Sequence, residues 1–411
     1  MGLKGATIYL DNQYNTYYTG QTIVGRVEYV FDTPKRVQGV TVQFKGLAHT
    51  EFYERRDEQN ADSGKMESRE MIHYGDEEYF NVTQYLLGDQ RGEQIDIPAG
   101  TQVYNFSYTL PTSVPSSFEG KHGHIRYTVK LSLVRPWKFN QETKMAFTVI
   151  NVLDLNLNPN YKKPFQFQFE KSFCCLCCKS APLSVDIRAP VSGYCAGQVI
   201  PFQVDIENKS NVDIQLVKII FRRVVMYKAN TPVSAHKKVE DDLQTLQEGP
   251  APAGSSKNWI LSLQIPSIPP SNLVNCNIMD LDYDIKVECV VSGAHMNLRD
   301  KKYIAIGTVP LVGVPSAPAP SPTQPAVLPV NPTAPSASGD AGWVAPGTSP
   351  GQPPFQNLYP ALVMPEYKES QDSAATIHDG GDTEFTKIVG PTNFAPFYPT
   401  YASVQPPPLP Q

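Results

Sequence analysis

The chain has 411 residues, 35 of them basic and 40 acidic, with 38 prolines and 7 cysteines. Its acidic surplus sits after Val312, where seven acidic residues face two basic ones. The body before that point is neutral, which excludes the basic footprint of a bulk nucleic-acid binder.

The opening stretch, MGLKGATIYLDNQYNTYYTG, holds no apolar run of signal-peptide length, and no later stretch is long enough to span a bilayer. Gly2 suits myristoylation, but Ala6 stands where Ser or Thr is needed. An odd cysteine count, with four packed into Cys174–Cys178, does not fit a secreted disulfide framework. The expected compartment is the cytoplasm, where the sequons at Asn81, Asn105 and Asn208 never meet the glycosylation machinery.

In chain order, Ala6–Leu10 reads as a first strand, and Tyr18-Thr19-Gly20-Gln21 turns into Ile23–Phe31. Val37–Leu47 repeats the alternation. Glu51–Gly92 is charged and weakly patterned, and fits a long hairpin or mobile loop around a pairing segment near Glu78–Leu87. Phe106, Tyr108 and Leu110 alternate into Pro111. In GHIRYTVKLSLVRPW (Gly123–Trp137), Ile125, Tyr127, Val129, Leu131 and Leu133 alternate with His124, Arg126, Thr128, Lys130 and Ser132. Period two predicts a strand with one buried and one wet face. Lys144–Leu153 closes this half.

The second half repeats the device. Tyr194-Cys195-Ala196-Gly197-Gln198-Val199-Ile200 echoes Tyr17-Tyr18-Thr19-Gly20-Gln21-Thr22-Ile23, and Met279–Val291 alternates as Ile125–Leu133 does. Two all-β halves with matching landmarks imply a duplicated sandwich.

The FSYTLP strand, the PSSFEG turn, the IRYTVKLSLVRPW strand and the later NCNIMDLDYDIKV resemble the arrestin family. Where visual and β-arrestins carry a helix, DIPAGTQVYNFSY is too short and holds Pro98 and Gly100, so the resemblance is to the arrestin-domain-containing, or α-arrestin, branch. The expected fold is all-β: two tandem arrestin-like (immunoglobulin-like) β-sandwiches followed by a disordered Pro-rich tail. Residues 1–153 form the first, 154–180 a connector with the Cys cluster, 181–312 the second and 313–411 the tail. The tail holds 21 prolines and few aliphatic runs, too little apolar surface to offset chain entropy.

The resemblance implies tail PPxY motifs for WW domains of HECT-type ubiquitin ligases, in which pre-extended prolines fill an aromatic groove and Tyr a second pocket. Here Met364-Pro365-Glu366-Tyr367 and Ala395-Pro396-Phe397-Tyr398 keep Pro-x-Tyr but lack the first Pro. Pro365, Tyr367, Pro396 and Tyr398 are the WW-ligand candidates, weak singly and stronger as a bivalent pair, with chance occurrence in a Pro- and Tyr-rich tail as the alternative. Tyr359 and Leu362 fit a Tyr-x-x-apolar sorting signal for a clathrin adaptor, and Pro406–Pro410 an SH3 ligand.

Cys174, Cys175, Cys177 and Cys178 have three readings. They are packed as small hydrophobes, lipidated beside Phe165, Phe167, Phe169 and Phe173, or engaged with a metal or in redox chemistry, for which a second Cys pair or a His is missing. His122 and His124 read as solvated turn histidines. Lys121, Arg126 and Lys130 form a basic stripe on the wet strand face; in arrestins such an N-domain surface receives acidic or phosphorylated cargo tails, and an ordinary solvated face is the alternative.

No catalytic set and no cofactor motif is present in the sequence. The expected function is a non-enzymatic trafficking adaptor that links membrane-protein cargo to a WW-domain HECT ligase for endocytosis and sorting, recruited to plasma membrane and endosomes. The alternatives are an arrestin-like scaffold that works without a ligase and a thiol-linked metabolic regulator.

Overall fold

Alternating apolar residues build the first half from short and long strands. The computed structural model describes residues 3–12, 14–59, 66–175, 178–313, 377, 379, 381–389 and 394–401. β1 (Leu3–Leu10), β2 (Thr16–Tyr18), β3 (Thr22–Phe31) and β4 (Lys35–Val37) lead into β5 (Gly39–Gln59) and β6 (Met66–Gly88). After these come β7 (Ile95–Ile97), β8 (Gly100–Thr109), β9 (Phe118–Gly120), β10 (Gly123–Val134) and β11 (Gln141–Ile150). The strands form two main sheets, ordered β1-β3-β8 and β2-β11-β10-β5-β6, with β9 against β10 and β4 paired with β7 as a small third sheet. Among the described residues no helix stands before β8.

Two short 3-10 turns, Leu155–Leu157 and Pro159–Lys162, carry the chain into the second half. There β12 (Phe165–Lys171), β13 (Cys174–Cys175), β14 (Cys178–Lys179), β15 (Leu183–Ala189), β16 (Gly193–Cys195) and β17 (Val199–Asn208) come first. β18 (Ile214–Ala229), β19 (Ala235–Glu248), β20 (Ser255–Gln264), β21 (Met279–Val291) and β22 (Leu298–Gly307) follow. The sheets are β12-β15-β17-β20 and β16-β22-β21-β18-β19, the same plan as the first pair.

The duplication reaches single hydrogen bonds. In each half a Gly at positive φ, Gly20 at 81° and Gly197 at 87°, makes the turn that only glycine adopts freely. The Gln after it caps the turn: Gln21 Oε1 accepts from the Tyr18 N–H, and Gln198 Oε1 from the Cys195 N–H, both at 2.7 Å. Tyr127 on β10 and Tyr283 on β21 are both fully buried. Each donates its hydroxyl to a proline carbonyl upstream, Pro115 at 2.7 Å and Pro269 at 2.9 Å. A buried Tyr needs such a partner, since an unpaired hydroxyl there costs about 1–3 kcal/mol.

One sequence expectation is resolved and another changes. Of the long hairpin or mobile loop expected over Glu51–Gly92, the described residues form the hairpin: β5 and β6 pair antiparallel from Gly39↔Gly88 to Gln59↔Met66. Phe165–Lys171, placed in the connector, pairs with β15 as a strand of the second sandwich, because Phe165 and Phe167 reach its core. The halves also touch beyond the connector. The β5–β6 hairpin lies against β18: the Thr50 hydroxyl donates to Lys228 O at 2.7 Å, Tyr74 bridges Thr231, and Glu77 accepts from the Asn277 side chain at 2.7 Å. One apolar cluster runs through both sandwiches, from Ile8 to Ile306.

Candidate functional site

The outer face of β10, which β11 continues, was expected to be wet. In the structure Arg126, Thr128, Ser132, Lys144, Ala146 and Thr148 are buried there, and residues from the far end of the chain contact Lys144, Ala146 and Thr148. The strand β23 (Thr386–Ile388) pairs parallel with β11, in the register Glu142↔Thr386, Thr143↔Lys387 and Lys144↔Ile388. Ile377, Phe394 and Ile388 pack on Ala146. Within the tail, expected to be disordered, the described residues of 377–401 pack on the body through the apolar Ile377, Ile388 and Phe394 and the acidic Asp379 and Asp382.

Three lysines from three neighbouring strands, Lys45 on β5, Lys130 on β10 and Lys144 on β11, converge on an acidic turn. Lys144 Nζ, with its side chain 2% exposed, lies 2.8 Å from Asp382 and 3.1 Å from Asp379. Lys45 lies 3.3 Å from Asp379, and Lys130 3.7 Å from both Asp382 and Glu142. The turn is self-braced: Asp379 accepts from the Gly381 N–H, and Asp382 from the Asp379 N–H. Burial pushes the Asp379 carboxyl up, but the Gly381 N–H, Lys144 and Lys45 outweigh it and hold it at about 2. Thr386 extends the contact by donating to Glu142 at 2.7 Å. This arrangement is a cationic socket that holds paired carboxylates on an extended segment.

Further along, the same segment crosses from one sandwich to the other. The Phe397 N–H donates to Thr148 Oγ1 on β11. Tyr398, 1% exposed, donates its hydroxyl to Ser117 O at 2.7 Å, while its own carbonyl accepts from Ser267 of the second sandwich. Burial drives the Tyr398 phenol well above its ordinary value, with Tyr283 and Glu119 in electrostatic reach, so it stays a donor. The Tyr401 N–H donates to Ala196 O at 2.9 Å and its hydroxyl to Thr308 O.

The sequence candidates fare differently. Lys130 is in the socket. Lys121 is exposed, and Arg126 is buried in a two-pronged ion pair with Glu119, at 2.6 and 2.8 Å. These three therefore form no continuous open stripe. Pro396 and Tyr398 are buried, not offered to a partner. Pro365, Tyr367, Tyr359, Leu362 and Pro406–Pro410 lie outside the described residues, as does Cys177. Cys174 pairs with Lys179 and Cys175 with Cys178 along the β13–β14 backbone, whose side chains are likewise undescribed. His122 and His124 are no solvated turn pair: His122 stacks edge-on against Tyr227, and His124 sits half-buried beside His49. Sequence reasoning missed Lys45, Lys144, Asp379 and Asp382. Two signals for them exist: cations at opposed positions of neighbouring strands, and an acidic Asp379-Gly380-Gly381-Asp382 turn within an otherwise Pro-rich tail.

Two duplicated sandwiches with a peptide socket on the first define a binding protein of the arrestin type. The arrestin (or S-antigen) N-terminal domain matches residues 6–156, and the arrestin C-terminal domain residues 179–311. Arrestin domain-containing protein 17 of Caenorhabditis elegans is 30% identical over 74% of this chain and 70% of its own length. Arrestin domain-containing protein 4 of Mus musculus is 25% identical over 74% of this chain and 72% of its own. Arrestin domain-containing protein 1 of Rattus norvegicus is 28% identical over 63% and 58%. The chain belongs to the arrestin family, as an arrestin-domain-containing protein of the α-arrestin type. That makes it an arrestin-like adaptor or scaffold. Among the described residues no helix is long and apolar enough to cross a membrane.

Proposed function

We propose that this protein is a non-enzymatic trafficking adaptor of the cytoplasm, recruited to plasma membrane and endosomes. Its first sandwich captures acidic or phosphorylated segments of membrane-protein cargo. Its tail recruits a WW-domain HECT ubiquitin ligase that marks the cargo for endocytosis and sorting. The observation that carries the cargo arm is the convergence of Lys45, Lys130 and Lys144 on the Asp379–Asp382 turn. A site that holds two carboxylates of this chain holds those of another peptide by the same charge-assisted contacts.

The test is binding of a peptide with two acidic or phosphorylated positions to the full chain. Affinity should rise when Asp379 and Asp382 are both replaced by Asn, and collapse when Lys144 and Lys130 are replaced by Ala. Binding indifferent to both changes removes the cargo arm. The ligase arm rests on Tyr367 and Tyr398, and the burial of Tyr398 favours the second reading, a scaffold that works without a ligase. Capture of ligase WW domains by the wild-type chain, lost in the Tyr367→Ala, Tyr398→Ala double variant, decides for the first reading.

A further inference from the structure

We propose that the seam between the two sandwiches is a tyrosine-reading peptide site, which competes with WW domains for Tyr398 and so gates that motif. This rests on the reading of Ala395–Tyr398 as a WW ligand.

The seam reads an extended segment at three points. Ser117 O accepts the Tyr398 hydroxyl from the first sandwich, and Ser267 Oγ holds the Tyr398 carbonyl from the second. Three residues on, Ala196 O and Thr308 O take the Tyr401 N–H and hydroxyl. A methyl group on Gly197 would stand 2.4 Å from Tyr401 O, so the body backbone approaches the peptide at the one residue type that allows it. The ligand class is an extended Tyr-x-x-Tyr peptide with both hydroxyls as donors. Phe at either position would forfeit the hydroxyl's bond to its carbonyl.

A WW groove must grip the Pro396 and Tyr398 rings themselves. Both are buried here, Tyr398 to within 1%. The same atoms cannot serve both sites, so apparent WW affinity falls by the fraction of chains whose seam is open. Because the segment touches both sandwiches, its withdrawal also removes bonds that tie them together.

The experiment uses full-length chain carrying Tyr367→Ala, so that only the second motif reports. A HECT-ligase WW domain is titrated against it and against a free peptide of residues 391–404. If nine chains in ten are closed, the peptide binds roughly tenfold tighter than the chain. Ala146→Arg, which crowds out Ile377 and Phe394 and leaves the motif's own residues unchanged, should close that gap. Thr148→Val, which removes only the acceptor of the Phe397 N–H, is the milder variant should Ala146→Arg misfold. Hydrogen exchange at Phe397 and Tyr401 is followed in parallel; protection should vanish as the WW domain saturates. Equal affinity for chain and peptide, or protection that persists at saturation, overturns the gate. A peptide that does not bind the WW domain withdraws the ligase reading of this motif and the gate with it, while protection at Tyr401 still reports the seam by itself.

Discussion

Lys144 Nζ and Asp382 Oδ2 lie 2.8 Å apart, across 238 residues of sequence, with both side chains almost wholly withdrawn from water. Stranding one charge of a buried pair costs about 3–5 kcal/mol when the site cannot open. Here the partner is at the surface end of a detachable segment, so breaking the pair releases the segment instead. Asp379→Asn with Asp382→Asn should speed proteolysis within 377–401 by about tenfold or more, since cleavage follows the open population. The body should lose about 0.5 kcal/mol or less. The charge swap Lys144→Asp with Asp382→Lys should restore protection; faster cleavage in the swap than in either single variant would mean the pair does not hold the turn.

Tyr127 and Tyr283 make a second testable pair. Each hydroxyl is the buried partner of one proline carbonyl. Tyr127→Phe and Tyr283→Phe should each cost about 1–2 kcal/mol by urea denaturation, with unchanged m-value. Similar costs follow from the duplication. A cost at one site alone means the two turns are not energetically alike.

Much of the fold is legible because its cause is local. The alternation of Ile125–Leu133 and Met279–Val291 and the Gly-Gln turns at 20–21 and 197–198 each depend on neighbouring residues. What eludes such reading is set by distant ones. The polar side chain of Lys144 reads as solvated, yet Asp382, 238 residues later, covers it. Glu77 carries no mark that its partner is Asn277. The xPxY of Ala395–Tyr398 was visible as a motif, but its burial depends on Ser117, Thr148 and Ser267, which no spacing rule connects to it.

Acid should loosen the first sandwich through its histidines. Burial, with Arg126 and His49 adding to it and Asp379 opposing, pushes the His124 imidazole well below its ordinary value of 6.5. Burial, with Lys237 and Lys121, lowers His122 as well. The unfolded chain therefore binds these protons more readily than the folded one. Stability is full above about pH 6.5 and falls as pH drops through that value, with a limiting slope of about 1.4 kcal/mol per pH unit for His124 and a smaller one for the more exposed His122. His124→Gln should flatten the decline of Tm between pH 7.5 and 5.5; a decline as steep as wild type would assign it to other groups.

The hairpin that crosses the seam predicts how the protein unfolds. Two independent sandwiches would melt separately, as a bare connector implies. Here Thr50, Tyr74 and Glu77 bond to the second half, and the apolar cluster does not break between them. Elements that share a core open together. Calorimetry of the full chain should show one main transition. Val129→Asp places an unpaired carboxylate at a fully buried position of β10. Its cost of several kcal/mol is a large part of the 5–15 kcal/mol that stabilises a typical domain. The variant should therefore lower the melting of the second half as well as the first, read as lost hydrogen-exchange protection on both β10 and β21. Glu77→Ala removes two of the crossing bonds, those from the Asn277 backbone and side chain, and touches neither core. It should begin to split the single transition into two. If Val129→Asp unfolds only the first half while β21 keeps its protection, the seam transmits little, and the sandwiches are energetically separate despite their shared boundary.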